Sequence, residues 1–205
     1  MEQNVIKVQG KIPREVGIAI SGGVDSMCIL DFLRKNHKVT AYHFNHGSKN
    51  ADLFERFVRA YCAKLEIPIK VGDIKNKKQK HQSLEEYWRE ERYNWFREQN
   101  QTIVLGHHLD DCVESYLFNM CNGKDYTIPY RHHNCIRPFR LNKKGDIVER
   151  LKNRPEIMWV EDPSNLDEKF KRNYIRFHLL PMVLEVNPGL YKVIAKRMKE
   201  EEVNI

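Results

Sequence analysis

Ser21-Gly22-Gly23-Val24-Asp25-Ser26 carries the densest chemistry in this chain. Adjacent glycines let a backbone turn tightly and approach a ligand. The N–H groups of such a loop, and of the helix it opens, converge on a concavity that suits phosphate. Two hydroxyls add donors. An acid at Asp25 would repel a bare phosphate, so a divalent cation bridging it to phosphate oxygens accounts for its presence. The loop is neither G-x-x-x-x-G-K-[ST] nor G-x-G-x-x-G, and the plainer alternative is a Gly-Gly turn with a Ser or Asp helix cap. A second cluster is Gly106-His107-His108-Leu109-Asp110-Asp111-Cys112-Val113-Glu114. Asp111 can join Asp25 in holding Mg²⁺ on bound phosphates; Asp110, about 100° of helix away, is the alternative, and a plain N-cap is the third reading. His107 and His108 lack partners at zinc spacing, which leaves substrate or phosphate contact, or simple packing. Glu114, one turn on, fits a supporting role toward a neighbouring His or Arg. Arg89 and Arg92 are three apart on one helix, where surface pairing with Glu85 or Glu86 is the bland reading.

Elements that would position these groups alternate along the first half. Val16–Ile20 is a continuous apolar run, as in a strand buried on both faces. Val39–Phe44, Ile67–Val71 and Thr102–Gly106 read as further strands. Helices are expected over Ser26–Lys35, over the periodic face from Leu53 to Leu65, from Ser83 (with Glu86, a capping box) to about Arg97, and over Asp110–Met120. This order predicts an α/β, Rossmann-like, mostly parallel sheet with helices on both faces. From Gly123 to Pro155 the pattern loosens, and helices resume over Lys169–Val183 and Leu190–Glu202. An α/β core over 1–125 and a continuing basic segment with C-terminal helices over 126–205 are expected.

Composition narrows the class. The 205 residues are 41% hydrophobic and 31% charged, enough for a packed core. No stretch approaches a membrane span and the N-terminus lacks a signal-peptide core, so a cytoplasmic protein is expected. Cys28, Cys62, Cys112, Cys121 and Cys135 form no C-x-x-C pair and read as reduced thiols. The net charge of +7 suits a polyanionic partner, nucleic acid above all. Residues 131–176 hold twelve Lys and Arg against seven acids, most of that surplus.

S-G-G-V-D-S after the first strand closely resembles the pyrophosphate loop of the N-type ATP pyrophosphatases, which adenylate a carbonyl oxygen, release pyrophosphate and let a nucleophile displace AMP. Further blocks select a branch: His43-Phe44-Asn45-His46-Gly47, Arg89-Glu90-Glu91-Arg92-Tyr93, the His-His-Leu-Asp-Asp segment, Arg137-Pro138-Phe139, Glu161-Asp162-Pro163-Ser164-Asn165 and Arg172-Asn173-Tyr174-Ile175-Arg176. Their order and spacing resemble the catalytic domain of the tRNA(Ile)-lysidine synthetases from about Gly17 to Pro188. The resemblance implies ATP bound by Ser21, Gly22, Gly23, Val24, Asp25, Ser26, His46 and His108, with Mg²⁺ on Asp25 and Asp111. It implies catalytic roles for Asp111, Arg89 and His107, with Arg89 stabilising developing negative charge.

It further implies a ligase forming a carbon–nitrogen bond. The wobble cytidine of an isoleucine tRNA with a CAU anticodon is adenylated, and the ε-amine of free L-lysine then displaces AMP. Recognition of an unstacked base suits basic and aromatic side chains. Lys75, Lys77, Lys78 and Lys80 of the KNKKQK loop, with Arg137, Lys143, Lys144, Arg172 and Arg176, are the expected tRNA contacts; solvated loop and helix faces are the bland alternative. Many members of the family carry C-terminal domains for the acceptor stem, so a short form that binds tRNA through its own surface is expected. A related tRNA thiolase is disfavoured by the cysteine spacing, and a non-catalytic nucleotide- and RNA-binding module by the acids and histidines in place. The oligomeric state, a homodimer included, stays open.

Overall fold

β1 (Glu15–Ala19) alternates Val16 and Ile18 toward one face and Gly17 and Ala19 toward the other, and both faces are covered. This is why its sequence reads as an unbroken apolar run. The computed structural model describes residues 6–151 and 154–203. Lys152 of the basic stretch lies outside the described residues. Five further strands complete one sheet: β2 (Lys38–Asn45), β3 (Ile69–Asp73), β4 (Ile103–Val104), β5 (Arg131–His132) and β6 (Cys135–Ile136). Their order is β3-β2-β1-β4-β6-β5, parallel throughout except for the antiparallel β5–β6 hairpin.

Helices α1 (Val24–Leu33), α2 (Ala51–Lys64) and α5 (Lys144–Glu149) pack on the face carrying Val16, Ile18, Val39, Ala41, Val104 and Ile136. α3 (Leu84–Arg97) covers the other face, where Tyr93, Trp95 and Phe96 meet Tyr42, Phe44, Ile103 and Cys135. Gly17 leaves room for the Tyr42 ring, whose Cε2 would lie 2.6 Å from an added Cβ. α4 (Leu109–Cys121) buries Cys112, Val113 and Leu117 against a separate helical layer. That layer holds α6 (Lys171–Tyr174), a π-turn over Ile175–Leu179, α7 (Leu180–Val186) and α8 (Leu190–Val203). The π-turn precedes Pro181, which has no N–H to donate one turn back and whose ring crowds the preceding turn of a regular helix.

The mostly parallel α/β fold is as expected, with small shifts in bounds. α1 opens at Val24 rather than Ser26, and the fourth strand keeps only Ile103–Val104 of Thr102–Gly106. The β5–β6 hairpin and α5 had no periodic signal, since strands of two residues show no alternation. They extend the α/β core past residue 125, because β6 pairs directly with β4. Among the described residues no helix is long and apolar enough to cross a membrane.

β1 pairs with β2 on one side and β4 on the other. The chain therefore leaves β1 and β4 in opposite directions, which opens a crevice at their C-terminal ends. The loop Ile20–Gly23 and the loop Leu105–His108 both start there.

Candidate active site

A cavity of about 390 Å³ occupies this crevice. Ser21, Gly23, Asp25 and Ser26 line it from the β1–α1 connection, and His43, Phe44 and His46 from the end of β2. Arg92 and Phe96 enter from α3, Gly106, His107 and Asp111 from the β4–α4 connection, and Val160, Asp162, Asn165 and Arg172 from the C-terminal half.

The β1–α1 loop is held by its own serines. Ser21 Oγ accepts the Gly23 N–H at 3.2 Å, and Ser26 Oγ donates to Gly23 O at 2.9 Å. Gly22 adopts φ +91°, the left-handed region that favours glycine, and a Cβ there would lie 3.1 Å from a Val160 methyl. Gly23 has an ordinary φ of −75°, and a Cβ there would meet only Ser21 Oγ, at 3.3 Å. Gly22 thus makes the turn, Gly23 keeps the cavity open, and Val24 packs on the core.

Asp25 and Asp111 both face the cavity, with the buried His108 ring beside both. His108 Nε2 is 3.8 Å from Asp25 Oδ2, and Lys144 Nζ is 3.5 Å from the same oxygen. Burial would push the Asp25 carboxyl up, but the His108 hydrogen bond and charge, then Lys144, outweigh it and hold it below the usual range. Asp25 Oδ1 is buried with no hydrogen-bond partner. His108 is the N-cap of α4: its Nδ1 accepts the Asp111 N–H at 3.2 Å, while Asp111 Oδ2 accepts the His108 N–H at 2.9 Å. Burial pushes the Asp111 carboxyl up against the pull of His108. The expected nucleotide contact from His108 is corrected here: the ring is 2% exposed and acts as a helix cap between carboxylates, outside the cavity lining.

Asp110 plays a different part from its neighbour. Its Oδ2 accepts the Lys144 N–H at 2.7 Å and its Oδ1 the Tyr191 hydroxyl at 3.1 Å, joining α4 to α5 and α8. Glu114 is buried and takes a bidentate pair from Arg176 at 2.7 and 2.8 Å. Arg176 is thereby drawn inward, away from the RNA-facing role expected of it. Arg137 is a clearer correction. At 1% exposed, it donates to Pro129 O and to the Tyr93 hydroxyl, both at 2.8 Å, so no RNA reaches it.

The cavity lining is also cationic and histidine-rich. His107 lines it with Nδ1 buried and unpartnered; burial, then Arg137, Arg92, Arg89 and Arg172, hold the ring well below its usual value. His46 is held at about 3 by burial and then by Arg92. His43 Nδ1 bonds Ile20 O at 2.8 Å, leaving its buried Nε2 unpartnered. Arg92, not Arg89, reaches the cavity. Arg89 is exposed, with its guanidinium 5.3 Å from the Tyr93 ring centroid. A three-residue offset turns the helix by only about 60°, so the two are neighbours on α3 and the sequence could not choose between them.

The Glu161–Asn165 block, which had no derivable role, forms the outer wall. Val160 N–H donates to Gly22 O at 2.9 Å, fastening this segment over the β1–α1 loop, and Asp162 caps a short 3₁₀ turn over Pro163–Leu166. His43, Val160 and Asn165 are lining residues that sequence reasoning missed as such. Only for His43 was there a usable signal, its place at the C-terminal end of a strand.

The remaining expected RNA contacts scatter. Lys77 and Lys80 are exposed; Lys75 pairs with Glu98 at 3.0 Å, and Lys78 donates to Gln82 O at 2.8 Å. Their loop is anchored by the buried Glu91 carboxylate, which accepts the Lys75 and Asn76 N–H groups at 2.9 and 3.0 Å. Lys143 lies 4.7 Å from the Tyr191 ring centroid, and Arg172 pairs with Glu85 at 2.9 Å on the cavity rim.

A family model described as the PP-loop domain matches residues 1–183. The chain belongs to the PP-loop family. A Staphylococcus aureus protein called tRNA(Ile)-lysidine synthase is 32% identical over 191 residues, 83% of this chain and 44% of the relative. A Bacteroides thetaiotaomicron protein of the same name is 33% identical over 188 residues, 84% of this chain and 44% of the relative. The chain thus spans about half the length of the curated relatives it matches. A solved NH3-dependent NAD synthetase from Campylobacter jejuni, 18% identical, matches 93% of this chain and 86% of its own with a TM-score of 0.48.

Proposed function

We propose that this protein is a carbon–nitrogen ligase of the tRNA(Ile)-lysidine synthetase type. The observation that carries the reading is the convergence, in one cavity, of residues of the Ser21–Ser26 loop, the Asp25 and Asp111 carboxylates, His107 and Arg92. The loop N–H groups and α1 N-terminus take the pyrophosphate of ATP. Asp25 and Asp111 would hold Mg²⁺. The fit is specific to a cation shared with phosphate: Asp25 Oδ1 is a buried, unpartnered acceptor, yet no group of three or more potential ligands forms among the described residues. When bound, the cation supplies charge neutralisation on the phosphate oxygens.

The cytidine carbonyl oxygen attacks the α-phosphorus, forming the base–AMP bond as pyrophosphate leaves. The ε-amine of lysine then attacks the activated ring carbon, loses a proton and expels AMP. The proton passes to solvent water, and His107, kept neutral by burial and surrounding arginines, offers a ring nitrogen as a hydrogen-bond acceptor in the cavity. Asp162, Asn165 and Arg172 wall the opening through which an unstacked base would enter.

The thiolase alternative is opposed by the thiols. Cys28, Cys62, Cys112 and Cys135 are buried outside the cavity lining, and burial pushes them up to about 11, 11, 12 and 11. The deciding experiment is mass analysis of tRNA nucleosides after incubation with ATP and labelled lysine. A labelled cytidine derivative is expected. Pyrophosphate release without lysine incorporation would refute lysine as the nucleophile, and no pyrophosphate release would leave only a binding module.

A further inference from the structure

The two oxygens of Asp25 stand in different circumstances. Oδ2 has Lys144 Nζ at 3.5 Å and His108 Nε2 at 3.8 Å, while Oδ1 is buried with no hydrogen-bond partner. The carboxylate is thus offset on one side and uncommitted on the other. Lys144 is held in place by bonds that do not involve its ammonium. Its N–H donates to Asp110 Oδ2 at 2.7 Å, and Ile147, one turn along α5, is buried against α1. Cys28 Sγ donates to Ile147 O at 3.2 Å. Asp25 and Cys28 are three apart on α1, as Lys144 and Ile147 are on α5, so the two helices lie side by side in a fixed register. The Lys144 side chain is 44% exposed, and an ion pair that open to water adds little to stability. Its charge therefore acts on the cavity more than on the fold.

We propose that Lys144 is the internal counter-ion of Asp25 and makes cation entry conditional on the nucleotide: the empty cavity refuses free Mg²⁺ and admits the metal–ATP complex. The inference rests on the placement of Mg²⁺ at Asp25 and Asp111 in the reading above. A divalent cation at Asp25 Oδ1 shares one carboxylate with the ammonium at Oδ2, and like charges so close repel even where solvent screens them. Asp25 and Asp111 also join no group of three or more potential ligands among the described residues, too few for a cation held by protein alone. The polyphosphate reverses this balance. It supplies further oxygen ligands and enough negative charge to offset the ammonium, so cation and nucleotide enter together.

The test titrates the whole protein, without nucleotide or tRNA, with Mn²⁺ and follows the electron paramagnetic resonance signal of the free aqueous ion. Lys144→Gln is expected to bind Mn²⁺ at least about 10-fold more tightly than the wild type, because a repelling charge is gone. Lys144→Arg, which keeps the charge, should match the wild type. The α5 anchor is a main-chain N–H, so both variants retain it. Asp25→Asn in the Lys144→Gln background should abolish the gain, which places it on this carboxylate. Equal Mn²⁺ affinity in wild type and Lys144→Gln, or a gain that survives Asp25→Asn, would overturn the inference. Affinity for ATP at saturating Mg²⁺, measured by calorimetry, should not fall in Lys144→Gln; a fall would make the ammonium a phosphate ligand and overturn the counter-ion role. Pyrophosphate release with tRNA is scored separately. Its absence alongside the expected Mn²⁺ pattern removes the ligase reading alone, and its presence alongside equal Mn²⁺ affinities overturns the counter-ion alone.

Discussion

Two adjacent aspartates should separate stability from chemistry. Asp110 accepts the Lys144 N–H and the Tyr191 hydroxyl, which join three helices. Asp110→Asn retains one acceptor oxygen and loses the other, along with the charge that strengthens both bonds. Loss of one hydrogen bond to a charged group costs about 1.5–3 kcal/mol. At about 2–4 °C per kcal/mol for a chain of this size, Tm should fall by about 3–12 °C. Asp111 faces the cavity, and burial raises its carboxyl, so its charge is itself poorly solvated. Asp111→Asn can still accept the His108 N–H and relieves that buried charge, so Tm should move by less than about 1 kcal/mol in equivalent terms. Pyrophosphate release at saturating Mg²⁺ should nonetheless fall about 10²–10⁴-fold, because removing stabilisation of developing phosphate charge costs several kcal/mol of barrier. Scanning calorimetry and a coupled pyrophosphate assay on the two variants give a two-by-two outcome. Wild-type release in Asp111→Asn, or an Asp110→Asn variant that is inactive but fully stable, would refute the division of roles.

Gly22→Ala should destabilise the loop by about 1–2 kcal/mol, because φ is +91° and Val160 is close, whereas Gly23→Val should leave Tm unchanged but cut ATP affinity in calorimetry. His46 is held at about 3 in the folded state, and an unfolded histidine titrates near about 6.5. The unfolded chain therefore binds the extra proton between these values, and stability present above about pH 6.5 is lost as pH falls toward 3. This one group should remove about 2 kcal/mol by pH 5, and His46→Phe should flatten that limb of a Tm-versus-pH series. Neutralising Lys75, Lys77, Lys78 and Lys80 together should lower the log–log salt slope of tRNA binding by about 0.7–0.9 for each true phosphate contact. A total near two contacts rather than four is expected, because Lys75 and Lys78 are engaged with Glu98 and with backbone carbonyls. An unchanged slope would show that the loop does not touch RNA.

The sequence by itself determined the elements whose signals are local. An apolar run followed by two glycines, two serines and an acid has few readings besides a phosphate loop between strand and helix. The alternation of runs and periodic faces then forced a parallel sheet. The acids Asp25 and Asp111 were legible for the same reason, since each sits within two residues of a strand–helix junction. The partners of long side chains were decided only by the tertiary structure. Whether Arg89 or Arg92 enters the cavity depends on how α3 is rotated on the sheet. Whether Arg137, Arg140 and Arg176 face solvent depends on the Tyr93 hydroxyl, the Gln9 amide and the Glu114 carboxylate supplied by distant segments. A run of basic residues looks like a surface in sequence because charge is costly to bury. Three of those arginines are buried or drawn inward because Tyr93, Gln9 and Glu114, far away in the chain, accept hydrogen bonds from them, and pairing across long sequence separations leaves no periodic trace to read.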